Sequence, residues 1–399
     1  MKSNYEPLGK HIQLVDYRNS EEVTSTVLGI SIDKEFMPSV ANVIGTDLSR
    51  YKLISKGLFA CNPMHVGRDE RLPIALYEKD SPALVSPAYF MFEIIDRDVL
   101  NEEYLMMWFR RPEFDRECWF MTDGSVRGGI TWDDLCRIKL PVPSYARQCE
   151  IVESYRAITD RIALKRAEND NLAKTIKAVF KSWFLDFDAF DGVELVQSQY
   201  GLIPNGWHYE LLGNLCDCVT KGTTPTTLGK DFTDTGINFI KGESINDDHS
   251  FNKTLFAHID DETDELLKRS RIYVNDIVFT IAGTLGKFAL VDSSVIPANT
   301  NQAVAIIRTS KIMPAMLYSY FIGEWQVEFY KRNTQQAVQA NLSLGTIKDL
   351  PILLPDSKGQ DHYMQLVTPL MVGMQNNFSE IERLYELQNQ LLARLSSSR

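Results

Sequence analysis

"ITWDDLCRIKLPVPS" (residues 130–144) and "LSLGTIKDLPILLPDS" (residues 342–357) are two versions of one segment, 212 positions apart. Ile130 answers to Leu342, Thr131 to Ser343, Leu135 to Ile347, Ile138 to Leu350 and Pro143 to Pro355. The same offset aligns Leu105 with Leu317, Trp108 with Tyr320, Phe109 with Phe321 and Gln148 with Gln360, without a gap from about Leu105 to Trp183. The chain is a duplication with a long period, and each copy must build its own core. Copy two opens on "WHYELLGNL" (207–215), an echo of "NYEPLGKHI" (4–12).

Upstream of the repeated segment, each copy alternates short β-rich runs with turn residues and then shows a helical stretch. In copy one these are "TVLGISI" (26–32), "YFMFEII" (89–95) and a helix expected over 101–114. In copy two they are "GINFIKG" (236–242), "IYVNDIVFTIAG" (272–283), "NQAVAIIRT" (301–309) and "AMLYSYFIGEWQVEFY" (315–330). Each copy therefore reads as an α+β domain of roughly 150 residues, the ordinary size of a single core. Trp108, Phe109, Tyr320 and Phe321 are read as core.

Downstream the period changes. Ile151, Tyr155, Ile158, Ile162, Leu172, Ile176, Val179 and Trp183, with the polar Lys165 and Asn169 between, step by alternating fours and threes. Shifted by 212, the second copy gives Tyr363, Val367, Leu370, Met374, Asn377, Ile381, Leu384, Gln388, Leu391 and Leu395. A seam of this kind sustained over about five heptads is a coiled-coil pattern, and each helix would be about 50 Å long. Lys165, Asn169 and Asn377 interrupt the seams near the middle, where polar residues cost stability and fix register or partner. The stretch 186–207 is an acidic, turn-rich connection.

These patterns predict five parts: a head over 1–146, a helix over 147–186, a linker over 187–206, a second head over 207–357 and a second helix over 358–399. Paired antiparallel, the helices would separate the heads about an approximate two-fold axis. Such a molecule presents two reading surfaces at a fixed separation, which suits a ligand with matching repeats such as DNA.

Composition narrows the class. The chain has 399 residues, 44% of them hydrophobic and 24% charged. It shows no apolar run of the ~18 residues needed to span a bilayer, and "MKSNYEPLGK" carries no secretory signal. The six cysteines, at 61, 118, 136, 149, 216 and 218, show neither CxxC spacing nor a histidine cluster. Reduced thiols in a cytoplasmic protein, with no metal site, are expected. The net charge of −11 argues against a simple nucleic-acid binder, but it is concentrated. Glu243, Asp247, Asp248, Asp260, Asp261, Glu262, Asp264 and Glu265 face only Lys253 between 243 and 265, and Asp186, Asp188, Asp191 and Glu194 form a second patch. The rest is nearly neutral, so DNA binding would draw on a partner for phosphate neutralisation.

The order head–helix–head–helix resembles the specificity (S) subunit of type I restriction–modification systems. The likeness rests on "LPVPS" and "LPILLP" closing the heads, "IPNGWHYELLGNL" (203–215) and "TKGTTPTTLGKDFTDTGINFIKG" (220–242). In copy one it rests on "VSPAYFMFEI" (85–94) and "FDRECWFMTDGSVRGGITWDDL" (114–135). It covers essentially the whole chain, although copy one lacks the Pro-Asn-Gly-Trp lead-in and the Gly-Thr-Thr-Pro loop. The resemblance implies that each head reads half of an interrupted site in double-stranded DNA. It also implies that the helices space the heads and dock two modification (methyltransferase) subunits, joined by restriction subunits that translocate and cut. S-adenosylmethionine, ATP and Mg are then expected on the partner subunits and no cofactor on this chain, which performs no chemistry.

The residues agree. An adenine methyltransferase needs Asn/Asp-Pro-Pro-aromatic, and "NPMH" (62–65) lacks the second proline and the aromatic. No G-x-G loop suited to S-adenosylmethionine follows a strand, and "AGTLGK" (282–287) has the wrong spacing for a phosphate loop, so it is read as a turn. Candidate DNA contacts in copy two are Lys221, Thr223, Thr224, Thr226 and Thr227 of "KGTTPTT", together with Lys241, because cations suit phosphates and hydroxyls reach phosphates or base edges. In copy one they are Arg68, Arg71 and Arg127, since Arg favours bidentate contacts to guanine. Asp69 and Glu70 compete for the first two, and "KRSR" (268–271) balances the acidic run beside it. The rival reading is a coiled-coil protein-interaction scaffold without DNA binding.

Overall fold

The structure is a computed structural model that describes residues 5–40, 45–64, 66–122, 128–190, 192–325 and 342–397. The chain divides into two compact units, Met1–Ile162 with Glu382–Arg399, and Ala163–Ile381. Each contains an α+β head and part of two long helices, Tyr145–Phe184 and Ser357–Ser397.

In the first unit a four-stranded antiparallel sheet runs in the spatial order Ile12–Leu14, Phe90–Ile94, Phe59–Cys61, Ile74–Leu76. Its core holds Phe59, Phe92, Leu105, Phe109 and Phe114, and Leu392 and Leu395 of the last helix are buried in the same cluster. The helix expected over 101–114 is two helices, Glu102–Phe109 and Pro112–Phe120. Asn101 caps the first by accepting from the backbone of Glu103 and Tyr104 at 2.9 and 3.0 Å. Pro112 starts the second, since its missing N–H and fixed φ suit a first turn better than a helix interior.

In the second unit a four-stranded antiparallel sheet has the order Cys216–Lys221, Val304–Thr309, Ile277–Thr280, Phe288–Leu290. A three-stranded sheet has Ile237–Ile240 at its centre, antiparallel to Ala257–Ile259 and parallel to Ala298–Thr300. Within the connection 187–206, Leu195–Ser198 and Gly201–Pro204 pair as a hairpin.

The duplication is visible in hydrogen-bond register. Tyr5 lies opposite Pro141 in one unit and Tyr209 opposite Leu353 in the other. Leu8 N–H donates to Ile138 O, and Leu212 N–H to Leu350 O, each at 2.8 Å. Thr131 and Ser343 each cap a short helix by accepting from the residue three positions on. Gly9 and Gly213 are equivalent for a steric reason, because a Cβ there would sit 2.7 Å from the Cys136 side chain or 2.9 Å from that of Lys348.

The long helices pair antiparallel inside each unit as a coiled coil. In the first, the Gln388 amide donates to the Thr159 hydroxyl at 3.1 Å. In the second, Lys165 lies 3.4 Å from Glu380, and the Asn377 amide donates to Asn169 Oδ1 at 2.9 Å. Tyr155, Ile162, Asn169, Ile176 and Trp183 are buried at successive heptads, with Ile151, Ile158, Lys165, Leu172 and Val179 half-buried between them. On the facing helix Tyr363, Val367, Met374, Asn377, Ile381 and Leu395 are buried, and Leu370, Leu384, Gln388 and Leu391 half-buried. Every seam position is at least partly shielded, as knobs-into-holes contacts require.

Candidate nucleic-acid interface

The second head gathers its loops at one end of its two sheets, and chain direction dictates which loops meet. Strand Cys216–Lys221 ends beside Ala305, strand Ile277–Thr280 beside Val304, and strand Ile237–Ile240 beside Thr300. The segments that follow, 221–228, 241–246 and 281–287, therefore emerge together around the turn 301–303.

Gly222 fixes the first of them. An ideal Cβ at that position would lie 1.7 Å from Thr300 O, so no other residue allows the strand end to approach this closely. Its N–H donates to Asn301 O at 3.1 Å. The Thr300 hydroxyl in turn donates to Ile240 O at 2.7 Å, tying in the strand that leads to Lys241. The Thr227 hydroxyl donates to Thr224 O at 2.7 Å, and Gly229, with φ of 70°, closes the short helix Pro225–Leu228. The Thr224 hydroxyl reaches across to donate to the side-chain oxygen of Gln302.

Three lysines stand on these segments, with the exposed Glu243 two positions from Lys241. Lys221 is exposed and enters no ion pair among the described residues. The Lys241 ammonium sits 4.7 Å from the centre of the Phe232 ring, a cation–π contact that orients it. Lys287 is 3.0 Å from Asp247. It belongs to the segment 282–287, which is a turn between Ile277–Thr280 and Phe288–Leu290, with positive φ at Gly283 and Gly286. No helix follows that turn, so the N–H array of a phosphate loop is not formed.

The structure thus brings Lys221, Thr223, Thr224, Thr226, Thr227 and Lys241 to one loop end. It adds Lys287 and Gln302, which sequence reasoning did not single out. The "KRSR" cations point elsewhere. Arg271 bonds Asp264 and Glu265, each at 2.6 Å, and Lys268 lies 3.3 Å from Glu265. Arg271, helped by Lys268, holds the Glu265 carboxyl below its ordinary pKa.

The first head is less generous. Arg68 forms a two-pronged pair with Asp69 at 2.7 and 2.8 Å, which raises its already high pKa. Arg71 pairs with Asp33 at 3.1 Å. Both guanidinium groups are engaged locally, and because solvent screens such exposed pairs a phosphate can displace them. Arg127 lies outside the described residues. Among the described residues no group of three or more His, Cys, Asp or Glu is placed to hold a metal, and no helix is long and apolar enough to cross a membrane.

Residues 204–372 match the family model described as the type I restriction modification DNA specificity domain. The chain is similar to the type I restriction enzyme MjaIX specificity subunit of Methanocaldococcus jannaschii, at 23% identity over 308 residues, covering 76% of this chain and 70% of that protein. It is also similar to the type I restriction enzyme HindI specificity subunit of Haemophilus influenzae, at 23% identity over 332 residues, covering 67% and 70%. A solved type I restriction–modification S subunit from M. genitalium superposes with a TM-score of 0.50 at 14% identity, over 99% of this chain and 96% of that one, a likeness of fold.

Proposed function

We propose that this chain, a member of the type I restriction–modification specificity-subunit family, is the non-catalytic subunit that reads an interrupted DNA sequence and positions partner subunits on it. The observation that carries this reading is the duplicated head joined to a shared pair of antiparallel helices. One polypeptide then reads two half-sites, one with each head. The partners are double-stranded DNA, two modification (methyltransferase) subunits and restriction subunits. The cofactors S-adenosylmethionine, ATP and Mg belong to those partners. Because methylating a base in a duplex requires flipping it out, the partner's active site must be held over one chosen nucleotide, and that placement is this chain's contribution.

The candidate contacts divide by chemistry. Lys221, Lys241 and Lys287 suit phosphates, and the threonine hydroxyls suit phosphates or base edges. With a net charge of −11, the chain takes part of its phosphate neutralisation from the methyltransferase subunits, so specific binding belongs to the complex. The helices set the unread gap, since one inserted heptad adds about 10 Å, roughly three base pairs.

Methylome sequencing of a host expressing the chain with its methyltransferase tests this. A bipartite motif is expected, and replacing residues 1–146 by another head should change only one half of it. A motif without two parts, or a swap that alters both halves, overturns the reading. Gel-shift binding that is specific and salt-sensitive only in the complex separates it from a scaffold without DNA binding.

A further inference from the structure

Gln302 stands in the β-rich run "NQAVAIIRT" (301–309) with no contact read for it there, yet its setting is that of a prepared contact. It is exposed at the apex of the turn between Ala298–Thr300 and Val304–Thr309. Asn301 fixes the backbone of that turn, its Oδ1 accepting from Ala303 N–H at 3.0 Å. The neighbouring strand end is pinned on the other side by Gly222, whose N–H bonds Asn301 O. From the loop that follows this strand the Thr224 hydroxyl donates to Gln302 Oε1, across 78 positions of sequence. The bond takes one lone pair of the Gln302 amide oxygen, and the NH2 group makes no hydrogen bond among the described residues. An exposed glutamine ordinarily samples several rotamers and offers either a donor or an acceptor. This one is tethered by Thr224 through its oxygen, which leaves its NH2 group as the donor, on the turn around which the segments bearing Lys221 and Lys241 emerge.

We infer that the Gln302 amide, oriented by Thr224, is a DNA contact of the second head, donating to a hydrogen-bond acceptor on the duplex. The inference rests on the proposed DNA-reading function and adds to it a residue and a polarity. The acceptor is a base-edge atom or a phosphate oxygen, both of which take an N–H donor. Holding the side chain in place before binding removes part of the ordering cost that a free glutamine would bear on contact.

The test uses the full chain in complex with its methyltransferase, on a duplex carrying the motif found in the wild-type methylome. Gln302→Ala should weaken specific binding roughly three- to tenfold, the range for one lost hydrogen bond. Thr224→Val, which removes the hydroxyl that bonds Gln302 but keeps the amide, should lie between it and the wild type. Gln302→Glu should be weaker still, because a carboxylate replaces the donor. The salt slope of Gln302→Ala should match the wild type, whereas Lys221→Ala should lower it by about one unit. If the acceptor is a base edge, the methylome of Gln302→Ala relaxes at one position of the half-site that stays when residues 1–146 are exchanged. If it is a phosphate, affinity falls by the same factor on every duplex and the motif is unchanged. Unaltered affinity and motif in both Gln302 variants, beside a wild-type complex that binds specifically, overturn the inference alone. A wild-type complex with no specific binding overturns the function on which it rests.

Discussion

In the second unit the first long helix ends in an aromatic box, with Phe180, Trp183 and Phe184 all buried. Phe180 meets Tyr320 edge-on at 4.8 Å, Phe184 lies 4.9 Å from both Tyr320 and Tyr363, and Trp183 stands edge-on to Phe190 at 4.7 Å. Even the turn after the head's helix is shaped for it, since a Cβ at Gly323 would fall 2.3 Å from the Phe180 ring. Shifting by 212 gives the corresponding positions of the first unit, which are Leu392, Leu395 and Ser396. There the head receives its helix on Leu392 and Leu395, and a cleft of about 630 Å³ lies on the side of the other long helix, edged by Met106, Met107, Arg110 and Tyr155. The same register and caps therefore support two unequal mounts. Large rings bury more area and gain edge-to-face contacts that leucine lacks, so duplicated topology does not imply duplicated stability.

The sharpest way to break this comparison is to truncate both mounts. Trp183→Ala should destabilise the second unit by about 3–5 kcal/mol, the range for a large aromatic removed from a core. Leu395→Ala should cost the first unit about 2–3 kcal/mol, near the lower end for leucine. Native-state hydrogen exchange reads each unit by itself, through core amides such as Val278 in one and Met91 in the other. Equal losses, or a larger one for Leu395, would mean that the aromatic box adds nothing beyond area.

A smaller effect sharpens the contrast along the coiled coil. The second unit buries an amide pair, Asn169 and Asn377, with Asn169 Nδ2 also 3.3 Å from Met374 O. The polar pair of the first unit, Thr159 and Gln388, sits at the exposed rim. Asn169→Leu alone strands the Asn377 amide and should cost about 1–3 kcal/mol. The double replacement by leucine should recover that loss, because no buried polar group is left unmatched. Gln388→Leu should stay within about 0.5 kcal/mol. Chemical denaturation of the four proteins decides it. A double variant no better than the single one would show that the amides stabilise rather than specify.

Much of this was legible in the sequence. The offset of 212 predicted two α+β heads, and the four–three spacing predicted paired helices, because burial imposes periods that survive as patterns. Trp108, Phe109, Tyr320 and Phe321 read as core and are buried. Pro112 reads from the sequence as lying near the end of one helix, whereas a second helix, Pro112–Phe120, starts on it, because a proline that stops one helix also suits the first turn of the next. The interface was legible only in part. "KGTTPTT" announces a turn with hydroxyls, but Gln302 becomes interesting only beside Thr224, and that adjacency is made by strand order. The pairing of Arg71 with Asp33, 38 positions away, is hidden from local sequence for the same reason.

The smallest expected effect concerns acid, and it falls on the second unit. His249 stacks on Phe288 with centroids 4.0 Å apart and sits edge-on to Tyr318 at 6.3 Å, and its Nδ1 finds no partner among the described residues. Burial lowers its pKa from the ordinary value near 6.5, while Asp248 and the backbone of Phe288 oppose the shift. The folded state therefore binds this proton less readily than the unfolded chain. The histidine favours folding fully above the unfolded pKa, and that contribution is lost as pH falls from about 6.5 toward the depressed folded value. The protection factor at Val278, which removes the intrinsic pH dependence of exchange, should fall over that window more than at Met91. His249→Asn, which also tolerates the backbone φ of 68° at this position, should bring the two into step. If both amides respond equally in the wild type, the histidine does not distinguish the units, and their difference lies in the mounts alone.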